Sequence, residues 1–278
     1  MKIINCPACS SVQLEKIEEL RVDKLVELYL VIWKVDILPY VGDVNIINLT
    51  RCSACDVRFF DPPCCGDASF YALLQQFDWY YQDEKPEYSF ALSYIGSDSQ
   101  VLEIGCGKGS FGLLLPKSVS YTGLEINEVA VANASEAGLN VLEQSIEEHV
   151  ASSSKTYDVV CAFQVLEHII KPDAFLRGCT AALKPGGTLI LAVPAEDSYI
   201  SDAPNAVLNM PPHHAIRWSD HSLRSMARRE GLNVVELWHE PITPDQYDWY
   251  MSVMARSWFT EKGLLKKRYT LRGHRLRK

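Results

Sequence analysis

Three glycines at alternate positions directly behind a hydrophobic run constrain this chain more than any other stretch. In VLEIGCGKGSF, residues 101–111, Val101, Leu102 and Ile104 read as a buried strand, and Gly105, Gly107 and Gly109 open a turn into the helix-like SFGLLLP. Strand, glycine turn and helix start together make an edge at which nucleotides bind. A side chain there would hold a ligand off the backbone, and the turn asks for dihedrals that other residues resist. The spacing is G-x-G-x-G, with Ser110 where the third glycine of G-x-G-x-x-G would fall, so the pyrophosphate fingerprint is not met and a smaller anion is expected. Glu125 ends the next strand, 20 residues after Gly105, where a carboxylate can accept from both hydroxyls of a ribose. Together these imply a nucleoside with a short charged arm.

From Gln100 onward, strand and helix patterns alternate. Strands are expected at 100–105, 119–125, 139–143, 157–163, 187–193 and 232–239. Helices are expected at 109–116, 127–137, 145–150, 172–183 and 219–230, with an irregular proline-rich stretch over 194–217. This alternation predicts an α/β fold, a Rossmann-like, doubly wound and mostly parallel sheet with helices on both faces, over residues 99–242. Residues 67–98 are dense in aromatics at helical spacing and read as a linker or lid; residues 243–278 read as a C-terminal helix and a basic tail.

Four of the nine cysteines are spaced as metal ligands. CPAC supplies Cys6 and Cys9, CSAC supplies Cys52 and Cys55, and two such turns complete a tetrahedral thiolate shell for a structural Zn²⁺. Residues 1–66 are therefore expected to form a small zinc-binding module. The 42 residues between Cys9 and Cys52 exceed a simple finger, so LEKIEELRVDKLVELYLVIW is expected to be an inserted helix. The adjacent Cys64 and Cys65 read as packing. The most apolar segment, residues 25–41, carries Glu27, Lys34 and Asp36 and is not a bilayer span. With no secretory pattern in MKIINCPAC, a cytoplasmic location is expected.

The net charge of −8 hides an asymmetry. Residues 256–278 hold nine Lys/Arg against Glu261, which leaves −16 over residues 1–255. An acidic body argues against nucleic acid as a partner, because phosphate neutralisation dominates that affinity. The basic tail can still meet an anionic surface.

VLEIGCGKGSF, GLEIN, YDVVCAFQVLEH and LKPGGTLILAVP, in this order and spacing, resemble the class I S-adenosylmethionine-dependent methyltransferases over roughly residues 95–240. The front end, CPAC…CSACDVRFFDPP, resembles the zinc-bearing segment found on a subset of these enzymes, many in sugar or surface-polysaccharide modification. The resemblance implies S-adenosylmethionine as cofactor and a small polar acceptor, such as a sugar or polysaccharide precursor. It places Glu103 at the methionine amino group, Gly105, Cys106 and Gly107 beneath the methionine arm, and Glu125 on the ribose. Ile126 falls beside the adenine, Ser145 and Ile146 in the adenine-contact region, and Phe163 and Gln164 beside the sulfonium and methyl. His168, His213 and His214 are the candidate bases, because a neutral imidazole can take a hydroxyl proton. His213 and His214 follow Pro211 and Pro212 and are expected to face Tyr80, Tyr81 and Tyr88 across an acceptor pocket. The alternatives are a zinc-module RNA methyltransferase, which the acidic body disfavours, and a cofactor-binding protein without turnover.

Overall fold

The computed structural model describes residues 4–74, 76–77, 83–203 and 206–262. The two cysteine pairs sit at one end of an antiparallel sheet built from β1 (Leu14–Arg21), β2 (Ile46–Cys52) and β3 (Arg58–Asp61). Leu14 lies opposite Cys52, and Thr50 opposite Phe59. Between β1 and β2 run α1 (Val22–Ile32) and the single turn α2 (Leu38–Val41). The helix expected over the whole of residues 14–33 is thereby corrected: only its second half is helical. LEKIEELR pairs with β2 from Leu14 to Arg21, and that ladder overrides the helix preference of its Glu, Lys and Leu residues. α1 buries Val22, Leu25, Leu28 and Tyr29, positions that share one helical face.

Within the aromatic stretch two short helices are described, α3 (Ala68–Leu74) and α4 (Pro86–Leu92). The alternating region follows as β4 (Gln100–Ile104), β5 (Ser120–Glu125), α5 (Glu128–Glu136), β6 (Val141–Glu143), α6 (Ile146–Ser152), β7 (Tyr157–Phe163), α7 (Pro172–Ala182) and β8 (Leu183–Ala192). Its strands form one parallel sheet in the order β6-β5-β4-β7-β8. Strand order therefore reverses between β4 and β7. In open sheets of this kind, ligands bind at the carboxyl ends of the strands flanking that reversal. Among the described residues no helix is long and apolar enough to cross a membrane.

Two further expectations are corrected. Residues 109–116 give only a 3-10 turn at Gly112–Leu114, since Pro116 stops propagation and Gly112 sits where a Cβ would come within 2.7 Å of the Tyr121 ring. Residues 232–239 form no strand. This segment runs beside α4, with the Phe90 and Trp238 rings stacked at 4.8 Å and the Tyr94 hydroxyl donating to Glu236.

The chain closes with β9 (Ile216–Arg217), α8 (Asp220–Arg229) and α9 (Pro244–Glu261). β9 is the fourth strand of the N-terminal sheet, with Phe59 opposite Ile216 and Arg58 opposite Arg217. Cys6, Cys55 and Phe59 consequently share one apolar core with Leu102, Val160, Phe175, Ile216 and Trp218. The junction is also ionic. Glu196 is buried, accepts from Arg58 and lies 3.8 Å from Arg217. Removing one partner from such a buried set leaves charge uncompensated. Glu196→Gln is expected to lower the unfolding free energy by about 3 kcal/mol, measured by denaturant titration. A change within about 0.5 kcal/mol, the range of an ordinary surface substitution, would refute this role.

Candidate functional site

The turn after β4 has all three glycines at positive φ: 69° at Gly105, 55° at Gly107 and 85° at Gly109. A Cβ at Gly105 would lie 2.5 Å from Val165 Cγ2, and one at Gly109 would lie 2.2 Å from Leu139 Cδ1. The backbone path therefore favours glycine at both positions, and at Gly105 a Cβ would also press on the β-branched Val165. Glu125, at the end of β5, fixes the turn. Its carboxylate accepts the N–H of Gly107 at 2.9 Å, of Ile126 at 2.8 Å and of Asn127 at 2.9 Å. A carboxylate offers about four acceptor positions, so one remains beyond these three. Beside it Ile126 is 68% exposed, an apolar side chain standing in solvent at the carboxyl edge.

Glu103 lies beneath the turn on β4. It is buried, and it accepts a hydrogen bond from the Tyr121 hydroxyl at 2.6 Å. Burial pushes its carboxyl up to about 8, only partly opposed by Tyr121. Cys106 is buried beside it, and desolvation raises its thiol, so it packs rather than reacts. Gly123, opposite Glu103 on β5, makes room for both neighbours. A Cβ there would lie 2.7 Å from Cys106 Sγ and 2.9 Å from the Tyr121 hydroxyl.

At the end of β7, Phe163 joins Tyr88 and Phe111 in an aromatic cluster, with centroids 5.0 and 4.8 Å away. Gln164 follows at φ 58°, a left-handed conformation that costs a non-glycine residue about 1 kcal/mol. At the end of β6, Ser145 caps α6 by accepting from Glu148 N–H at 3.2 Å, while Ile146 is buried against Gly178 of α7. Ile146 thus faces the core, and of these two apolar side chains it is Ile126 that stands open at the carboxyl edge.

Sequence reasoning passed over the acids in front of α4. Asp83 pairs with Lys108 at 2.7 Å and accepts from Ser110 at 3.0 Å, so it holds the glycine turn from outside. Glu87 accepts from Gln164 Nε2 at 3.4 Å. The acid-rich QDEKPEY, which leads into the first turn of α4, was the available signal. Tyr80, Tyr81 and the basic tail past residue 262 lie outside the described residues.

His168, His213 and His214 come together, but inside the protein. His213 and His214 are buried and stack at 4.6 Å, and the His168 side chain is 17% exposed. His168 Nδ1 meets the His213 carbonyl at 2.6 Å, His213 Nδ1 meets the Leu208 carbonyl at 2.8 Å, and His214 Nδ1 meets Asn209 Oδ1 at 3.2 Å. Desolvation lowers His168 to about 4 and His213 to about 3, and carries His214 down with them. The expectation of an imidazole opening into a pocket is corrected on this point. The rings of His213 and His214 face the interior, and that of His168 is mostly covered.

The four cysteines converge as well. Cys6 and Cys55 Sγ are 3.6 Å apart, as are Cys9 and Cys52 Sγ, and all four lie within 4.8 Å of one another. A tetrahedron with metal–sulfur bonds of about 2.3 Å has sulfur–sulfur edges of about 3.8 Å, so the set fits a thiolate-bound metal. The hydrogen bond with Cys55, helped by backbone N–H groups of Ala8 and Cys9, holds Cys6 well below the ordinary thiol range.

Residues 77–237, more than half of the chain, match the methyltransferase-domain family. The chain belongs to that family. Its fold is the Rossmann-like fold of the class I methyltransferases. A ubiquinone biosynthesis O-methyltransferase of Vibrio parahaemolyticus is 39% identical over 95 residues, 32% of this chain and 40% of that protein. The protein of the same name from Escherichia coli O157:H7 is 32% identical over 114 residues, 36% of this chain and 48% of that one. The matches thus span less than half the length of these curated relatives. An S-adenosylmethionine-dependent methyltransferase from Archaeoglobus fulgidus superposes with a TM-score of 0.51 at 18% identity, over 66% of this chain and 92% of that one, a likeness of fold.

Proposed function

We propose that this methyltransferase transfers the methyl group of S-adenosylmethionine to an oxygen of a small hydroxylated acceptor, and that a structural Zn²⁺ occupies its four-cysteine cluster. The observation that carries the reading is Glu125, anchored on the glycine turn with an acceptor position to spare and an exposed Ile126 beside it. When bound, the cofactor supplies an electrophilic methyl on a sulfonium. Glu125 would take a ribose hydroxyl, Ile126 the adenine face, and the backbone of Gly105–Gly107 would run beneath the methionine arm. Glu103 would hold the amino group. Phe163 and Gln164 would border the methyl, where in-line alignment with the acceptor oxygen supplies much of the rate. The oxygen gains the methyl as the carbon–sulfur bond breaks, and the hydroxyl proton leaves to solvent or to a polar side chain at the mouth. The O-methyltransferase relatives support oxygen as the acceptor atom. The body charge of −16 favours a small acceptor over RNA.

Glu125→Ala should weaken cofactor binding by roughly 10- to 100-fold, since a charge-assisted hydrogen bond contributes about 1.5–3 kcal/mol. Calorimetry with the demethylated product, S-adenosylhomocysteine, measures this; unchanged affinity would remove Glu125 from the ribose.

Glu103 gives the binding a pH signature. Raised to about 8 by burial, it is mostly protonated at lower pH, and a neighbouring ammonium favours its ionised form, so binding must release a proton there. Affinity should fall as pH drops from 7.5 to 6, by up to about tenfold per unit, while the cofactor's amino group stays cationic. Glu103→Gln should bind with a flat profile over this range. An equal slope in the variant would assign the proton elsewhere.

For the cysteine cluster, blocking the thiols with a mercurial should release one Zn²⁺ per chain, and Cys9→Ser should lose that equivalent. Because these cysteines share their core with Phe59, Ile216 and Trp218, the loss should also lower the melting temperature of the whole protein. Full-length protein that melts normally without thiol-releasable zinc would refute a structural metal.

A further inference from the structure

The histidine cluster has a second feature, and it does not depend on the methyl-transfer reading. One ring nitrogen from each of His168, His213 and His214 lies within 4.8 Å of the other two. Each Nδ1 faces an oxygen: the His213 carbonyl, the Leu208 carbonyl and Asn209 Oδ1 respectively. In a neutral imidazole this places the proton on Nδ1 and the lone pair on Nε2, and the same outer-shell contact orients histidines that ligate metals. Glu167 stands against them. Its side chain is 2% exposed, Oε1 lies 3.9 Å from Nε2 of both His168 and His214, and neither carboxylate oxygen has a hydrogen-bond partner. A buried carboxylate beside two imidazole nitrogens, with no side-chain hydrogen-bond donor among the described residues, is a costly arrangement unless a cation completes it.

We infer that His168, His213, His214 and Glu167 form a second metal site, for a divalent first-row transition ion of the Zn²⁺ class. Three imidazoles and one carboxylate are the donors such ions select, and they rule out hard Ca²⁺ or Mg²⁺ as the natural occupant. Metal–nitrogen bonds of about 2.0–2.1 Å imply donor–donor edges of roughly 3.3 Å, so the three imidazoles, whose nitrogens lie within 4.8 Å of one another, would close in on the ion, and Glu167, beside two of them, would move in as the fourth donor. The ion would tie the turn at Leu166–His168, just past Gln164, to the loop that carries His213 and His214. One protein charge, on Glu167, would balance half of the ion's.

The test counts metals on the full-length protein. Chains stripped with chelator and reconstituted with Co²⁺ should hold two equivalents by mass spectrometry of the metal. One should show thiolate-to-cobalt charge-transfer absorption and leave on mercurial treatment. The other should show neither property. His214→Ala should lose the second equivalent and keep the first, and Glu167→Gln, which preserves shape, should weaken the second at least tenfold in a chelator competition. Retention of the thiolate-type cobalt reports that either variant is folded, since that cluster shares the main core. A single equivalent of purely thiolate character in the unaltered protein would overturn the site, as would two equivalents unchanged in both variants. Neither readout requires turnover, so a failure here leaves the methyltransferase reading standing and the reverse also holds.

Discussion

Two residues of β9 laid against β3 make one body of what the sequence presents as two. Through Phe59 opposite Ile216, the N-terminal sheet grips the segment that follows β8, and the Phe60 N–H donates to the Ala215 carbonyl just outside that ladder. The grip continues upstream, where Gly66 N–H donates to the Pro212 carbonyl and the Cys65 thiol to the His168 carbonyl. A connection of more than twenty residues after β8 would ordinarily be free to vary. Here its far end is anchored from outside the Rossmann-like sheet, so the strands that carry the cysteine cluster are tied to the carboxyl edge. The cysteines order the strands that hold the loop, and the loop shapes the edge.

That edge carries two buried carboxyl groups of similar character. Glu103 and Glu167 are both almost wholly buried and both pushed up to about 8 by desolvation. Glu103 has a side-chain donor, Tyr121; Glu167 has imidazole nitrogens 3.9 Å away and no side-chain donor among the described residues. Burying an acid without a matching cation is destabilising, so each site gains stability when positive charge arrives. The methionine amino group would serve the first and a metal ion the second. The protein therefore holds, on either side of the strand-order reversal, an electrostatic deficit that a ligand relieves.

Much of the parallel sheet was legible because its strands are continuous apolar runs closed by turn signals. YDVVCAF is bounded as a strand in both sequence and structure, and Asn127, accepting from Ala130 N–H, marks the start of α5 as a capping residue should. Local pattern failed where pairing decided the outcome. LEKIEELR is a strand because residues 46–52 lie beside it, and LNVVELWHE is not one, since it pairs with no strand of either sheet. In the site, residue types and offsets marked the glycine turn and Glu125. The histidines were found, but their burial could not be: His168 and His213 stand 45 positions apart, and only the folded loop turns their rings inward. Glu167 carried no signal of its own, since one acid within LEH looks like any helix-start residue.

Gln164 closes β7 in a backbone conformation that glycine would adopt without penalty, and it adopts it with a full side chain. Stability and chemistry thus pull in opposite directions at a single position. A designer optimising this fold for thermal resistance alone would install glycine there and gain on the order of 1 kcal/mol, at the loss of the amide that donates to Glu87. The native residue thus marks a position where the fold tolerates strain to keep an amide, paired with Glu87, at the carboxyl end of β7.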